Sequence, residues 1–214
     1  MKGLVRLAGA MGLALAASTV QAEVEPSAEA PPTSQALLQI LRRAPAFSAR
    51  FTEEKTLAML QKPLLTEGRM LFRREPPTLV RAIEEPRPMR VVITEARLST
   101  VRGQGVEHLE LEGKIEAQAL VGSLLALLRG DGEALASSYA LEYAHEGPRW
   151  TLRLVPRSER LAALVRRLTF EGKGEALHEL VVEEASGDRT VTRVSDLRWR
   201  DASDSADAAL FAVP

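Results

Sequence analysis

Apolar positions along the chain follow two different periods, and the change between them defines the elements. At 34–44, Leu37, Leu38 and Leu41 recur at helical spacing behind Ser34, a good cap, and ahead of Pro45, so a short amphipathic helix is predicted there. From 46 to 112 the period falls to two. Phe47 and Phe51 share one face of the first run. Met70 and Phe72 alternate with Arg69, Leu71 and Arg73, Leu79, Arg81 and Ile83 oppose Val80, Ala82 and Glu84, and Met89, Val91 and Ile93 alternate with Arg90, Val92 and Thr94. Turn residues sit between these runs at Pro63, Gly68, Pro76-Pro77, Pro86, Pro88 and Gly103/Gly105. Short strands at roughly ten-residue spacing predict an antiparallel meander.

Residues 114–129 interrupt the meander. Leu120, Val121, Leu124, Leu127 and Leu128 stack at helical spacing and Gly130 closes the segment, which reads as a strongly apolar helix whose natural cover is a sheet face. Strand periodicity then resumes at 139–145, at Trp150, Leu152 and Leu154, at 164–170, 177–184 and 190–200, and ends in a last strand-like piece at 210–214. Gly147-Pro148, Gly172 with Gly174, and Ser186-Gly187-Asp188 supply the turns. The fold class expected is mainly β with α. A single curved antiparallel sheet of about ten strands, an incomplete barrel, carries about two helices on its open face. A curled sheet with apolar helices in its mouth encloses space suited to an apolar ligand.

Composition narrows the chemistry. The chain has 214 residues, no cysteine, a formal net charge of −1 and nine aromatic residues. The balanced charge provides no basic excess for phosphate, and the few aromatic rings leave little to stack on bases, so no nucleic-acid partner is expected. Lacking cysteine, the chain has no disulfide scaffold, thiol nucleophile or cysteine-bound metal. Residues 1–22 read as a signal peptide: Lys2 and Arg6 precede an apolar stretch from Leu4 to Ala17, and Val20-Gln21-Ala22 forms the cleavage signal. With about 12 apolar residues, that stretch falls short of the roughly 20 a bilayer span requires. Residues 23–33, rich in Pro, Ala and Glu, read as a flexible leader, and 34–214 as one domain.

A search for catalytic motifs finds no assembled set. Gly122-Ser123 is followed by Leu124-Leu125 within the apolar helix and is not a nucleophile elbow. His178-Glu179 lacks the second histidine of a zinc-protease helix, since Val182 stands at that position. Gly103-Gln104-Gly105 opens no helix, and His108, His145 and His178 fall in separate strands or turns. Asp201, Asp204 and Asp207 recur every third residue, which is not the spacing of a calcium loop. The expectation is a non-enzyme with neither cofactor nor metal.

One stretch is more specific. Phe47-Ser48-Ala49-Arg50-Phe51-Thr52-Glu53 is followed by Pro63-Leu64, by Gly68-Arg69-Met70-Leu71-Phe72-Arg73-Arg74, by Pro76-Pro77 with Leu79, and by Val91-Val92-Ile93, and the chain closes on Phe211-Ala212-Val213-Pro214. This order resembles the LolA-like periplasmic carriers, which escort outer-membrane lipoproteins and share the patterns F-x-x-x-F-x-(E/Q), G-x-(L/M)-x-(F/Y)-x-(R/K)-x-P and a closing F-x-(V/F)-x-P. The resemblance implies a half-barrel under a helical lid, acyl chains bound inside, and an arginine near the end of the Gly68–Phe72 stretch that holds the lid or hands over cargo. Arg73 and Arg74 are both candidates for that role, because Glu75-Pro76-Pro77 departs from the family's usual single proline.

The apolar residues expected to line the ligand space are Phe47, Phe51, Met70, Phe72, Leu79, Met89, Val91, Ile93, Trp150, Leu152 and Leu154, with Leu120, Leu124 and Leu127 from the covering helix. Such a surface recovers the cost of exposing acyl chains, about 0.8 kcal/mol per methylene, without directional bonds. The implied function is a monomeric periplasmic carrier of lipoprotein acyl chains or other lipids, loaded by an inner-membrane donor and unloaded by an outer-membrane acceptor. Two alternatives belong to other classes: a lipid or lipoprotein sensor of the same fold, and an enzyme acting on envelope lipid.

Overall fold

The structure is a computed structural model that describes residues 33–43, 45–200 and 208–213. The signal-peptide and leader readings, the Asp201–Asp204–Asp207 spacing and Pro214 lie outside the described residues, apart from Thr33. Helix α1 (Ser34–Arg43) is followed by six strands: β1 (Ala46–Thr56), β2 (Leu64–Arg73), β3 (Thr78–Glu85), β4 (Met89–Ile93), β5 (Arg97–Arg102) and β6 (Gly105–Glu110). Helices α2 (Ile115–Arg129) and α3 (Gly132–Ser138) come next. Strands β7 (Tyr139–Glu146) and β8 (Arg149–Pro156) lead to the short helix α4 (Glu159–Ala162). Strands β9 (Val165–Lys173), β10 (Ala176–Glu184) and β11 (Arg189–Arg200) follow, and a last helical turn, α5 (Ala208–Phe211), ends the described chain.

All eleven strands form one open antiparallel sheet in the order β6-β5-β4-β3-β2-β1-β11-β10-β9-β8-β7. Two consecutive meanders are joined where β1 pairs β11, so the sheet has two wings and a seam. The expected alternation therefore holds on both sides of the apolar helix. Each wing carries its own apolar cluster on the same face. One contains Phe47, Phe72, Leu79, Ile93 and Leu125 of α2, and the other contains Trp150, Leu152, Leu154, Leu168 and Phe170 with Ala126 and Leu127 of α2.

Sharing one helix between two clusters forces the sheet to curl. Strands β4 and β8 are seven steps apart, which in a flat sheet is about 33 Å. A helix is only about 10–12 Å across with its side chains. Clusters that include Ile93 on β4 and Leu152 on β8 can both be built onto α2 only if the wings rise on either side of it.

Four details differ from the sequence reading. Gly68 is not a turn but lies inside β2, where a side chain would run into the Ala82 carbonyl of β3. The register shifts there and leaves Glu84 as a bulge that pairs with Arg50 and Arg69 at 3.1 and 3.2 Å. Over 210–213 the chain is not a strand: Leu210 and Phe211 belong to α5 and, with Val213, pack on Leu71, Val80 and Val92 on the outer face. Two short helices also escaped the periodicity, being one or two turns long. They are α3, capped by Asp131, and α4, capped by Ser158. Gly172, expected in a turn, is inside β9 facing Trp150, whose indole N–H donates to the Gly174 carbonyl at 2.9 Å.

These environments give one substitution opposite signs at two glycines. A Cβ at Gly172 would collide with the Trp150 ring and the Ala176 carbonyl, whereas one at Gly122 in α2 meets nothing within 4 Å. In urea unfolding, Gly172→Ala is expected to destabilise the protein by about 2 kcal/mol. Gly122→Ala is expected to stabilise it by up to about 1 kcal/mol through helix propensity.

Candidate functional site

The inner face can be read row by row from the strand register. In the β1–β5 wing, Phe47, Phe72, Leu79, Ile93 and Leu98 form one row, and Ala49, Met70, Arg81, Val91 and Thr100 the next. Phe51 and Met89 lie one row further on, beside Gly68 and Ile83. Leu152, Phe170, Leu180, Thr192 and Glu53 form a row that crosses from the other wing to the seam. Every strand residue predicted to line the ligand space therefore lies on this one face.

Burial divides the predicted set. Phe47, Phe51, Phe72, Leu79, Ile93, Leu127, Trp150, Leu152 and Leu154 are buried in the packed interior, while Met70, Met89, Val91, Leu120 and Leu124 remain partly accessible. Met70, Val91, Val121 and Leu124 pack together on the cluster of the β1–β5 wing, and Leu120 packs on that of the other wing. Partly accessible residues of the sheet, Met70 and Val91, and of α2, Leu124, thus border the same buried cluster. Leu125, fully buried, was not singled out from the sequence. Because α2 is apolar nearly all round and faces both wings, a single stripe understates its contacts.

The lid is held at the opposite end of α2. Gly130 ends the helix in the left-handed conformation (φ 66°), and a side chain there would strike the Leu38 carbonyl of α1, so the two helices touch backbone to backbone. Arg74, just after β2, reaches this junction. Its guanidinium donates to the Arg129 carbonyl of α2 at 2.6 Å and to the Leu41 carbonyl of α1 at 2.8 Å. Both acceptors belong to the last turns of helices, where carbonyls lack helical partners and the backbone dipoles present negative charge. Burial, and then the nearby charge of Arg42, hold the Arg74 pKa below its ordinary value. Arg129 adds a second tie, an ion pair with Glu95 at 2.8 Å.

Arg73 points the other way. It lies on the outer face with its guanidinium over the Phe211 ring at 4.8 Å, and it lines a cavity of about 470 Å³ together with Val92, Ser99, His108 and Val213. The structure separates the two candidates: Arg74 touches the helices and Arg73 does not face them. Counted from Gly68 and Phe72, the basic position of the family pattern falls on Arg74, so the signal was in the spacing.

A polar group also sits on the inner face: alternation put Arg81 on the side of Leu79 and Ile83, but sequence reasoning missed its partners. Arg81 lies over the Phe51 ring at 4.5 Å and pairs with Glu53 at 2.8 Å, and Glu53 also accepts the Thr192 hydroxyl at 2.8 Å. The three residues are far apart in sequence, and only the Phe51-x-Glu53 pattern hinted at them. The three histidines stay on separate strands, His108 on β6, His145 on β7 and His178 on β10. His108 is hydrogen-bonded to the nearly buried Ser99 at 3.0 Å. Among the described residues no cluster of three His, Asp or Glu is placed to hold a metal, and no helix is long and apolar enough to cross a membrane.

An unclosed antiparallel barrel with a latched helical lid over an apolar inner face defines the class of this protein. Residues 27–212 match the family described as outer membrane lipoprotein carrier protein LolA-like, and the chain belongs to that family. It is similar to the crystal structure of a LolA superfamily protein from Nitrosomonas europaea, with 13% identity, 85% of this chain and 98% of that chain covered, and a TM-score of 0.45. It is also similar to the Mycobacterium tuberculosis lipoprotein LppX (11%, 80% and 100%, 0.42) and to the Pseudomonas aeruginosa MucA/MucB complex structure (14%, 83% and 58%, 0.46). None of these is close enough in sequence or superposition to carry a functional inference. A comparison with curated proteins finds no match in sequence.

The two arginines predict different outcomes for one measurement. Arg74→Met removes both hydrogen bonds to helix ends, which is expected to cost about 2 kcal/mol. Amide hydrogen exchange in α2 should accelerate by roughly 30-fold while β8 and β9 stay protected. Arg73→Met is expected to leave α2 exchange unchanged.

Proposed function

We propose that this protein is a carrier that shelters acyl chains of lipoproteins or other lipids between α2 and the inner face of its sheet, for transfer to the outer membrane. The observation that carries this reading is the construction of the lid. Helix α2 is held to both wings by side-chain contacts that have no directional requirement, and to the sheet's end by Arg74. Apolar contacts of this kind can be exchanged for contacts with a hydrocarbon chain at little net cost, because one greasy surface replaces another. Family membership supports the same reading.

The mechanism follows from the two kinds of contact. With Arg74 engaged, the lid is closed and the inner face packs on itself. A chain entering beside Met70, Val91 and Leu124 would displace α2 and pull the helix ends away from Arg74. Release reverses this, since the closed state regains its hydrogen bonds and core contacts. Inner- and outer-membrane partners would load and unload such a carrier by favouring one of the two positions. The amino-terminal segment, read as a signal peptide, and family membership support a periplasmic location.

The reading is tested by chain length. Displacement of a fluorescent fatty-acyl probe by a homologous series of acyl compounds should strengthen by up to about fourfold per added methylene until the space is filled. Met70→Asp should weaken the whole series by at least about tenfold, since a chain would then meet a carboxylate. Absence of probe binding, together with absence of co-purified lipid by native mass spectrometry, would sink the reading.

A further inference from the structure

We propose that the Arg81–Glu53 pair is a cargo-recognition point that binds the carbonyl oxygen of an acyl ester or amide. This inference rests on the carrier reading and goes further by naming the head-group chemistry and the residue that reads it. Arg81 stands in register between Met70 and Val91, two partly accessible residues of the inner face, and its guanidinium reaches from there along that face to Phe51 and Glu53 of β1. Gly68, the register partner of Phe51, has no side chain, and Arg81 crosses that gap to lie on the Phe51 ring.

The donors of Arg81 are only partly used. Nη2 is bonded to Glu53 at 2.8 Å, but Nε is buried without a hydrogen-bond partner. A buried donor left unpaired is destabilising, and an acceptor brought by a ligand would recover that loss. Charge selects which acceptor. Arg81 and Glu53 already neutralise each other, and Glu53 is fixed by the Thr192 hydroxyl. An anionic head would gain little net attraction and would face the Glu53 carboxylate, whereas a neutral carbonyl satisfies the donor without that penalty. The ligand class selected is therefore an acylated ester or amide, in preference to a free fatty acid or a plain alkyl chain.

The test compares two water-soluble lipids of matched length, dioctanoylglycerol and the dioctyl ether of glycerol, which lacks the carbonyls. Each is used to displace a fluorescent acyl probe from the full-length protein. The intact protein is expected to prefer the ester by about tenfold. Arg81→Met, which keeps the unbranched stem but removes the guanidinium, should bind the ether as before and lose the preference. Arg81→Lys, which keeps the charge and the packing, provides a folded control and should retain part of it. Equal affinity of the intact protein for the two lipids overturns the proposal, as does a preference that survives in Arg81→Met. Failure of both lipids and of the probe to bind overturns the carrier reading and this inference with it.

Discussion

One helix must serve two sheet wings, and most of the architecture follows from that requirement. Helix α2 carries apolar side chains around nearly its whole circumference, so a single flat face could not bury it. An eleven-stranded sheet, too broad to lie flat, meets the need by rising on both sides. The two clusters, one centred on Phe72 and Leu79 and the other on Leu152 and Phe170, are halves of one interior joined by Leu125, Ala126 and Leu127.

The lid depends on contacts of unequal kind. Along its length α2 is held by dispersion and burial, which tolerate substitution by any apolar partner. At its end Gly130 lets it approach the α1 backbone closely, and directional bonds hold it there: Arg74 to two helix-terminal carbonyls and Arg129 to Glu95. Such a division suits a hinged cover, with permissive contacts where something could slide in and specific ones where position must be recovered.

Much of the fold was legible in the sequence because alternation and helical spacing are local signals. The strands of both meanders and the long helix announced themselves in this way. Gly68 misled because glycine marks turns and close backbone approaches alike, and only the shifted β2–β3 register distinguishes them. The 210–213 segment misled because a four-residue turn has too few positions to show a period, so its docking on Leu71, Val80 and Val92 decides its shape. The predicted lining was legible as a face but not as a gradient of access: Phe72 and Leu152 are buried while Met70 and Val91 stay reachable.

By itself, then, the sequence determined the class of sheet, the identity of its apolar face and the presence of a helix needing cover, since each is written in spacings of a few residues. Tertiary structure decided what the charged residues touch. A single step from Arg73 to Arg74 moves from an outer cavity beside Phe211 to the carbonyls of two helices. Arg81, Glu53 and Thr192 meet only because β1 pairs with β11 at the seam and the side chain of Arg81 on β3 reaches across β2. Burial follows local pattern, but a polar side chain's partner is set by what the fold brings within hydrogen-bond reach, and that distance is not encoded in sequence separation.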